Sequence, residues 1–599
     1  MLYFHSPSVF DAARGLLFPG HEEDAGARLR NQIIEALLLP KELEKAWNQS
    51  LAAVSGLEIF SEFLKRLEVG WNCEARDRAL IPREGPVVVV ANHPFGMVEG
   101  AVLGALLSKV RPDTKFLANS LLAAFPGSGD FLIPVNPFGG AARGNSTYLR
   151  QSLKWLRQGG VLITFPAGEV SSLRWGKLEI SDPEWNEAVG GLIRISGATA
   201  VPIFFHGSNG PAFQIAGLVH PRLRTALLPR ELVNKRGTRL EISIGRPVAA
   251  SSLAHLSDDR ARTDYLRQRT HLLEARRQQA RGWSISLPKA PLAGPVSAQD
   301  LANEVSRLGP EHLLVETSEF QAWVASAAEI PNTLREIGRL RELTFRGAGE
   351  GTGRSLDLDR FDPRYRHLWL WNKATREVCG AYRMCATDAL RKSSDLYTST
   401  LFKFRPGLVE SLHPALELGR SFVRPEYQKS YQALLLLWKG IGAWVARNPR
   451  YSTLFGPVSI SQEYRTASRA LMVSYLQEHC SHPELEGAAE PRKEFRPHGP
   501  RRCDIRRLAP LLSSVEELSD AIADLEPDGK GLPVLLRQYL NLGGTMIAFN
   551  EDPRFSGVID GLVVVDLRQL NPRLLAKYLG KAGAEAFVAY QDRVKKHSL

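Results

Sequence analysis

A short apolar run followed at once by a polar turn constrains this chain most. The run is Pro86–Ala91 (PVVVVA), and the turn Asn92–Gly100 (NHPFGMVEG) follows it directly. Four successive β-branched valines indicate a strand that is buried on both faces. A strand that ends in a glycine-containing turn with a histidine and a carboxylate is a suitable place for a general base.

Two more apolar runs end in a similar way. Gly160–Phe165 leads into Pro166–Ser172 (PAGEVSS), and Thr199–Phe205 (TAVPIFF) is a third buried strand. Because ligands in open α/β sheets bind outside the carboxyl ends of the strands, we expect these ends to meet at one pocket.

These three stretches, in this order and spacing, resemble the glycerophosphate and lysophospholipid acyltransferases over roughly residues 60–250. That family carries a His-x4-Asp motif, a Phe-Pro-Glu-Gly-type motif and a strand with Val-Pro. Here the acid is a glutamate and comes one position later (His93-x5-Glu99), and the second motif reads FPAGE from Phe165. Both changes resemble the hemolysin-like branch of the family. The resemblance implies an α/β fold of the glycerolipid-acyltransferase type.

The resemblance also implies roles for individual residues. His93 is the expected base for the acceptor hydroxyl, and Glu99 is expected to fix its tautomer and stabilise the imidazolium. Gly96 allows the turn to bring Glu99 back toward His93. The alternative is a histidine that only caps a helix. The expected acceptor-binding residues are Asn92, Gly96, Phe165, Pro166, Gly168, Glu169 and Ser171. Glu169 suits a cationic head group, unless it is a solvated loop acid.

Apolar spacing predicts the other elements of this first unit. Leu51, Val54, Leu57, Phe60, Leu64 and Leu67 form a helical stripe. This helix either packs on the catalytic core or dips into a bilayer. Further predictions are a strand at Phe131–Phe138, a helix at Ala141–Gln158, a strand at Arg239–Gly245 and helix within 251–280.

A chain of 599 residues is too long for one domain. Residues 281–300 are rich in proline and glycine without periodicity, which is typical of a linker. We therefore predict a first domain at 1–285, a linker at 286–300 and a second domain at 301–599.

The second domain reads as α+β with a central mixed sheet. One helix is predicted to begin near Ile337, and another is predicted at Leu434–Val445. The predicted strands are His367–Trp371, Glu377–Met384, Tyr397–Phe402 and Glu417–Val423. This order resembles the GNAT fold, and Glu417–Gln432 is most similar to the acyl-homoserine-lactone synthase and ornithine N-acyltransferase branch. Tyr431 replaces the first glycine of the usual pyrophosphate-binding turn. That change favours an acyl donor presented on the phosphopantetheine arm of acyl carrier protein.

Several residues of this second domain are candidates for its site. Glu417 is the candidate base for the amine, or else a structural partner of Arg420 or Arg424. Asp357 and Asp359 are candidates to recognise a cationic amino acid, together with the nearby Asp362, unless these acids are a solvated cluster. The candidates for binding the donor or its carrier protein are Arg424, Gln428 and Lys429.

Charge and composition limit the partners. The net charge of +12 favours an acidic partner such as anionic lipid or acyl carrier protein, and no recognition motif supports nucleic acid. We expect no transmembrane helix and no signal peptide. We also expect a cytoplasmic protein that is bound peripherally to the inner membrane. Five scattered cysteines without Cys-x-x-Cys predict neither disulfides nor a metal site.

Two acyltransferase units on one chain resemble the bifunctional ornithine lipid synthases. The resemblance implies that the second unit N-acylates ornithine from 3-hydroxyacyl carrier protein. The first unit then O-acylates the product from a second acyl carrier protein, and no cofactor is bound. One alternative is a lysophospholipid acyltransferase fused to an N-acyltransferase for glycine or another amine. Another is a non-catalytic, hemolysin-like protein of the membrane surface.

Overall fold

The structure is a computed structural model that describes residues 41–119, 126–135, 144–174, 179–219, 221–277, 289–555 and 557–597. The chain divides into two units. The first comprises residues 1–278 and 499–530, and the second comprises residues 279–498 and 531–599. Among the described helices, none combines the length and apolar character needed to cross a bilayer.

The predicted division into 1–285 and 301–599 needs one correction. Residues 499–530 interrupt the second unit in sequence but pack within the first, where Asp524 lies in a buried ion pair with Arg269. The predicted linker also differs, although its residues 286–288 lie outside the described residues. Ala290 and Ala293 donate backbone hydrogen bonds within the second unit, and a helix already begins at Ala298.

Helices and strands alternate in the first half of the chain. Its strands are β1 (Gly70–Cys73), β2 (Val87–Ala91), β3 (Thr114–Asn119), β4 (Leu132–Val135), β5 (Val161–Thr164), β6 (Ser172–Arg174), β7 (Glu179–Ser181), β8 (Thr199–His206) and β9 (Arg239–Ile244). Its helices are α1 (Lys41–Ala53), α2 (Glu58–Arg66), α3 (Ala75–Arg78), α4 (Val98–Leu107), α5 (Gly144–Arg157), α6 (Ala188–Ser196), α7 (Pro211–Val219), α8 (Pro221–Val233) and α9 (Asp259–Leu272).

Seven of these strands form one sheet in the order β1-β9-β8-β2-β5-β3-β4. All neighbours are parallel except β8 and β9. The predicted strands β2, β4, β5 and β8 therefore end at one edge of the sheet, whereas the antiparallel β9 ends at the opposite edge. Sequence analysis missed β3, and residues 136–138 of the strand predicted at Phe131–Phe138 lie outside the described residues.

The predicted apolar stripe belongs to the core of the first unit. Leu57, Leu64 and Leu67 are buried in it, and Phe60 packs with its rings against Trp47 and other aromatic side chains. The structure favours the reading in which this stripe packs on the core, but it divides the predicted single helix into α1 and α2, with Val54–Leu57 outside both.

The second half of the chain also contains both helices and strands. Its helices are α10 (Ala298–Val305), α11 (Pro331–Gly347), α12 (Leu408–Leu412), α13 (Tyr431–Arg447), α14 (Thr466–His479), α15 (Ile505–Leu508), α16 (Val515–Leu525), α17 (Val534–Asn541), α18 (Pro572–Leu579) and α19 (Lys581–His597). Its strands are β10 (Leu313–Glu316), β11 (Phe320–Ser326), β12 (Arg366–Asn372), β13 (Glu377–Ala386), β14 (Phe402–Phe404), β15 (Ala415–Val423), β16 (Thr453–Ile460), β17 (Ala489–Pro491), β18 (Thr545–Asp552) and β19 (Val558–Asp566). Helices α15 and α16 belong to the first unit.

Eight of these strands form a mixed sheet in the order β10-β11-β12-β13-β15-β16-β19-β18. Only β15 and β16 are parallel, and their pairing stops at Glu417 and Phe455 although both strands continue. Beyond this point the two strands do not pair with each other, and we call this unpaired stretch the gap between β15 and β16.

The strand predicted at Tyr397–Phe402 is wrong. Tyr397–Thr400 forms a 3-10 turn, and the strand β14 begins only at Phe402. The physical reason is a buried carboxylate, because the backbone N–H groups of Tyr397 and Thr398 donate to Glu417 instead of to a neighbouring strand.

Candidate active sites

The turn after β2 brings His93 and Glu99 together. Glu99 lies in the first turn of α4, and its Oε1 accepts hydrogen bonds from the N–H groups of Phe95 (2.6 Å) and Gly96 (3.0 Å). The same oxygen lies 3.3 Å from Nδ1 of His93. Gly96 has a φ of +103°, which the turn requires and which favours glycine.

This geometry suits a general base. Glu99 is completely buried, whereas 15% of the His93 side chain is exposed. A carboxylate at Nδ1 favours the tautomer that carries its proton there and leaves Nε2 as the acceptor. The pair is therefore arranged to remove a proton from a hydroxyl group presented to Nε2.

The other two strand ends contact this turn. The Phe165 ring, at the end of β5, stacks on the His93 imidazole with 4.4 Å between centroids. Asn92 exchanges two hydrogen bonds with the backbone of Phe205 on β8. The predicted meeting of three strand ends is thus present in the structure.

A buried aspartate that sequence analysis missed supports the same turn. Oδ1 of Asp182 accepts a hydrogen bond from the hydroxyl of Ser171 and lies 3.4 Å from the His93 backbone nitrogen. Its Oδ2 accepts from Trp185 and lies 3.6 Å from Nε2 of His271. Burial raises the pKa of Asp182, but His271, Ser171 and Trp185 outweigh it and lower this pKa to about 2. No sequence motif marks Asp182, because two of its neighbours, His93 and His271, come from distant parts of the chain.

The remaining acceptor-site candidates lie on the turn after β5. The carbonyl of Pro166 accepts a hydrogen bond from Asn186, so this turn is held in place. Gly168 has a φ of +67°, and both Gly168 and Glu169 are exposed. Glu169 is therefore placed to meet a ligand from solvent, and its role stays a prediction.

A lysine also lies beside this site and was not predicted. Nζ of Lys235 is 4.7 Å from the centre of the Phe95 ring. Burial lowers the pKa of Lys235, while Glu231 and Glu99 act in the opposite direction. A partly desolvated cation therefore stands near the carboxylate of Glu99.

In the second unit, Glu417 is buried among hydrogen-bond donors. Its Oε1 accepts from the N–H (2.8 Å) and hydroxyl (2.6 Å) of Thr398. Its Oε2 accepts from the Tyr365 hydroxyl and from the Tyr397 N–H. These four bonds use all the acceptor positions of a carboxylate. The role of Glu417 as base stays a prediction, but its contacts are those of a structural acceptor, and they do not involve Arg420 or Arg424.

A bulge in β15 directs Arg420 toward the same face of the sheet. Gly419 pairs with Arg383 and Phe422 pairs with Ala381, so two residues of β15 stand opposite one residue of β13. Arg420 has a φ of +47°. Such a bulge re-aims a side chain. The Arg420 guanidinium lies over the rings of Tyr397 (5.1 Å) and Phe555 (4.8 Å).

The three acids predicted to recognise a cation each lie beside an arginine. Asp362 binds Arg341 (2.7 Å), Asp359 binds Arg383 (2.7 Å) and Asp357 lies 3.6 Å from Arg420. The cluster is therefore not solvated in the way that the alternative reading supposed. The role of Asp357 and Asp359 in substrate binding stays a prediction.

The donor-site candidates lie in the segment between β15 and α13. Arg424 forms ion pairs with Glu377 (2.6 Å) and Glu426 (3.1 Å). Gln428 donates to the carbonyl of Val423, and Lys429 is exposed. Arg424 and Gln428 thus already have partners within the unit. Among the described residues, no group of three or more histidines, cysteines or acids is arranged to hold a metal ion.

Comparison with known proteins identifies both units. Residues 53–279 match the family model described as Acyltransferase, and residues 340–439 match that of the Acetyltransferase (GNAT) domain. The chain is 32% identical over 247 residues to the glycine N(alpha)-acyltransferase of Bacteroides thetaiotaomicron, which covers 39% of this chain and 72% of that protein.

Two further relatives extend this comparison. The L-ornithine N(alpha)-acyltransferase of Brucella abortus is 26% identical over 277 residues, covering 43% of this chain and 88% of its own. The lyso-glycine lipid O-acyltransferase of Phocaeicola vulgatus is 26% identical over 208 residues, covering 34% of this chain and 71% of its own. The solved 1-acyl-sn-glycerophosphate acyltransferase of Thermotoga maritima is 18% identical, with a TM-score of 0.24, over 43% of this chain and 83% of that chain.

The two matched domains define the chain as an acyltransferase enzyme with an acyltransferase domain followed by a GNAT domain. It belongs to the acyltransferase family that includes the glycine N(alpha)-acyltransferase of B. thetaiotaomicron. The predicted fold classes of both units are thereby confirmed. The matches favour an enzyme over the non-catalytic alternative.

Proposed function

We propose that the chain makes a two-chain aminolipid in two consecutive steps. The GNAT unit transfers a 3-hydroxyacyl group from acyl carrier protein to the α-amine of ornithine. The acyltransferase unit then esterifies the 3-hydroxyl of this product from a second acyl carrier protein. The observation that carries the proposal is the His93–Glu99 pair on the same chain as a GNAT domain.

The O-acylation step follows from the geometry around His93. Nε2 of His93 takes the proton of the 3-hydroxyl while this oxygen attacks the thioester carbonyl. The carbon–oxygen bond forms, the carbon–sulfur bond breaks, and the proton passes from the imidazolium to the leaving thiolate. Glu99, 3.3 Å from Nδ1, stabilises the imidazolium during the transfer.

The gap between β15 and β16 supports a donor with an extended arm. Beyond Glu417 and Phe455, the facing backbone groups of these strands do not pair with each other. Such groups favour hydrogen bonds with another extended chain, and a phosphopantetheine arm has amide groups that provide them. The net charge of +12 complements both an acidic carrier protein and an anionic lipid surface.

A second candidate differs only in the amino acid. The relatives that are 32% and 29% identical are named glycine N(alpha)-acyltransferases, whereas the relative named for ornithine is 26% identical. These names favour glycine as the alternative acceptor. Neither choice changes the order of the two steps.

The proposal is tested by lipid profiles of a host that lacks aminolipids. The host expresses the full chain or His93→Ala and receives labelled ornithine or labelled glycine. We expect the wild type to form a two-chain lipid and His93→Ala to accumulate the one-chain form. His255→Ala changes an exposed histidine of the same unit and is the matched control.

The label identifies the amino acid. Label from ornithine supports the first candidate, and label from glycine supports the second. The proposal fails if the protein is produced and no labelled lipid appears. It also fails if His93→Ala forms the two-chain lipid as well as His255→Ala does.

A further inference from the structure

Asp560 is a buried carboxylate near the gap between β15 and β16. It lies on β19 opposite Ser459 of β16, and it is 6% exposed. The Ser459 hydroxyl donates a hydrogen bond to Oδ1 at 3.0 Å, and within the described residues this is the one hydrogen bond donated to the carboxylate. Glu417, in contrast, accepts four. Asp560 therefore keeps acceptor capacity that Glu417 lacks.

Two other acids, Asp552 and Glu350, repel a negative charge on Asp560. Burial, followed by repulsion from Asp552 and Glu350, raises the pKa of Asp560 to about 8, although Ser459 and Arg420 oppose this rise. Burial also raises the pKa of Glu350 to about 7, and Glu463 adds to this effect. Asp552 is 1% exposed and has its own partner in Arg554, at 3.0 Å. The site therefore has an affinity for a cation or a proton.

In the part of the chain that the structure describes, the guanidinium of Arg420 and the carboxylate of Asp357 also lack hydrogen-bond partners. Among the described residues, the Arg420 guanidinium makes no hydrogen bond, and its Nε is buried. Asp357 is 3% exposed, and its Oδ2 has no hydrogen-bond partner. Its other oxygen is 3.6 Å from Arg420, which is too far for a hydrogen bond. Buried polar groups are normally paired, so these unpaired atoms point to a polar ligand.

An amino acid has a partner for the acids of this site and a partner for its guanidinium. Its ammonium suits Asp560 and Glu350, and its carboxylate suits the Arg420 guanidinium. We propose that Asp560 binds the ammonium group of the substrate amino acid and accepts its proton, with Arg420 facing the substrate carboxylate. This proposal rests on the N-acylation proposed above.

The Asp560 carboxylate takes one proton from the ammonium, and the neutral amine attacks the thioester carbonyl carbon. The carbon–nitrogen bond forms and the carbon–sulfur bond breaks. The second proton leaves with the thiolate as the free thiol, and the third remains on the amide nitrogen. The carboxyl of Asp560 then returns its proton to water.

The test uses the purified full chain with a 3-hydroxyacyl carrier protein thioester and each amino acid. We compare Asp560→Asn and Asp560→Glu with the wild type between about pH 6 and pH 9.5. We expect Asp560→Asn to lower kcat/KM for the amino acid by about 100-fold. Its residual rate should rise with pH as the free amine becomes more abundant. Asp560→Glu should have a kcat/KM about tenfold higher than that of Asp560→Asn, because it restores a carboxylate.

The control variant is Asp566→Asn, on the same strand but paired with Arg568 at 2.8 Å. It should keep the wild-type rate and pH profile. Thermal unfolding of each preparation shows whether the second unit, which contains Asp560, is folded in the variants. Asp560→Asn with more than half of the wild-type rate, or with an unchanged pH profile, overturns the role of Asp560 alone. A wild type that acylates no amine overturns this role and the proposed function together.

Discussion

Nδ1 of His93 lies 3.3 Å from Oε1 of Glu99, although six positions separate the two residues in the sequence. The same oxygen accepts the N–H groups of Phe95 and Gly96, so the carboxylate fixes both the turn and the imidazole. This shared role predicts how the turn responds to substitution.

Glu99→Gln is expected to lower kcat for O-acylation by about 10²–10⁴-fold, because the neutral amide no longer stabilises the imidazolium. The measurement is the rate of ester formation with added one-chain lipid. Glu84→Gln, at an exposed position of the same unit, is the control. If the rate of Glu99→Gln is within about threefold of the rate of that control, the role assigned to Glu99 is contradicted.

Gly96→Ala is expected to reduce both stability and O-acylation. A Cβ atom there would lie 2.5 Å from Cδ2 of Leu228 and 2.9 Å from Cγ2 of Val170, at a φ of +103°. Gly85 also has a positive φ, of +79°, but has open space around its Cβ position. Gly85→Ala should therefore cost about 1 kcal/mol, and Gly96→Ala about 1–3 kcal/mol more. Equal losses in thermal unfolding would contradict the predicted collision.

Glu417→Gln is expected to destabilise the second unit by about 1–3 kcal/mol, because an amide cannot accept all four surrounding donors. N-acylation should fall in parallel with the folded fraction, as judged by thermal unfolding and by the rate per folded molecule. Thr400→Ala removes a nearby hydroxyl that donates to the Tyr397 carbonyl, and serves as the control. If Glu417→Gln is as stable as this control but has lost N-acylation, Glu417 is the base after all.

Asp524→Asn is expected to destabilise the first unit by about 3–5 kcal/mol, because it leaves the buried Arg269 without its charged partner at 2.9 Å. Asp520→Asn changes an exposed aspartate of the same helix and should have little effect. A fragment that ends at residue 285 lacks Asp524 and should lose O-acylation. A stable and active fragment would show that residues 499–530 are dispensable.

Asp560 also predicts a dependence of stability on pH. Its folded-state pKa of about 8 lies above the ordinary value of 3.8, so the folded protein holds a proton that the unfolded chain releases. Stability is therefore expected to fall as pH rises from about 4 to about 8. Asp560→Asn removes this loss and should be more stable than the wild type by about 2–5 kcal/mol near pH 8.5, with little difference near pH 4. Thermal unfolding at several pH values measures this, and a difference that does not grow with pH contradicts it.

Much of the first site was predictable from local sequence. The valines of β2 and the apolar runs of β5 and β8 mark strands that are buried on both faces, and parallel strands end at a common edge. The second site was less predictable. The bulge at Arg420 and the turn at Tyr397 depend on a buried carboxylate and on register, which alternating patterns do not encode.

The sequence alone determined which segments become strands and which carry the motif residues, because burial and turn formation act within a few neighbouring residues. It also determined the two acyltransferase classes, through the spacing of those motifs. Only the tertiary structure decided that Asp182 supports the turn of His93, that residues 499–530 complete the first unit, and that Arg420 packs over Phe555, which lies between β18 and the strand β19 that carries Asp560. These relationships join residues far apart in the chain, and their charges and hydrogen bonds exist only once both partners are buried together.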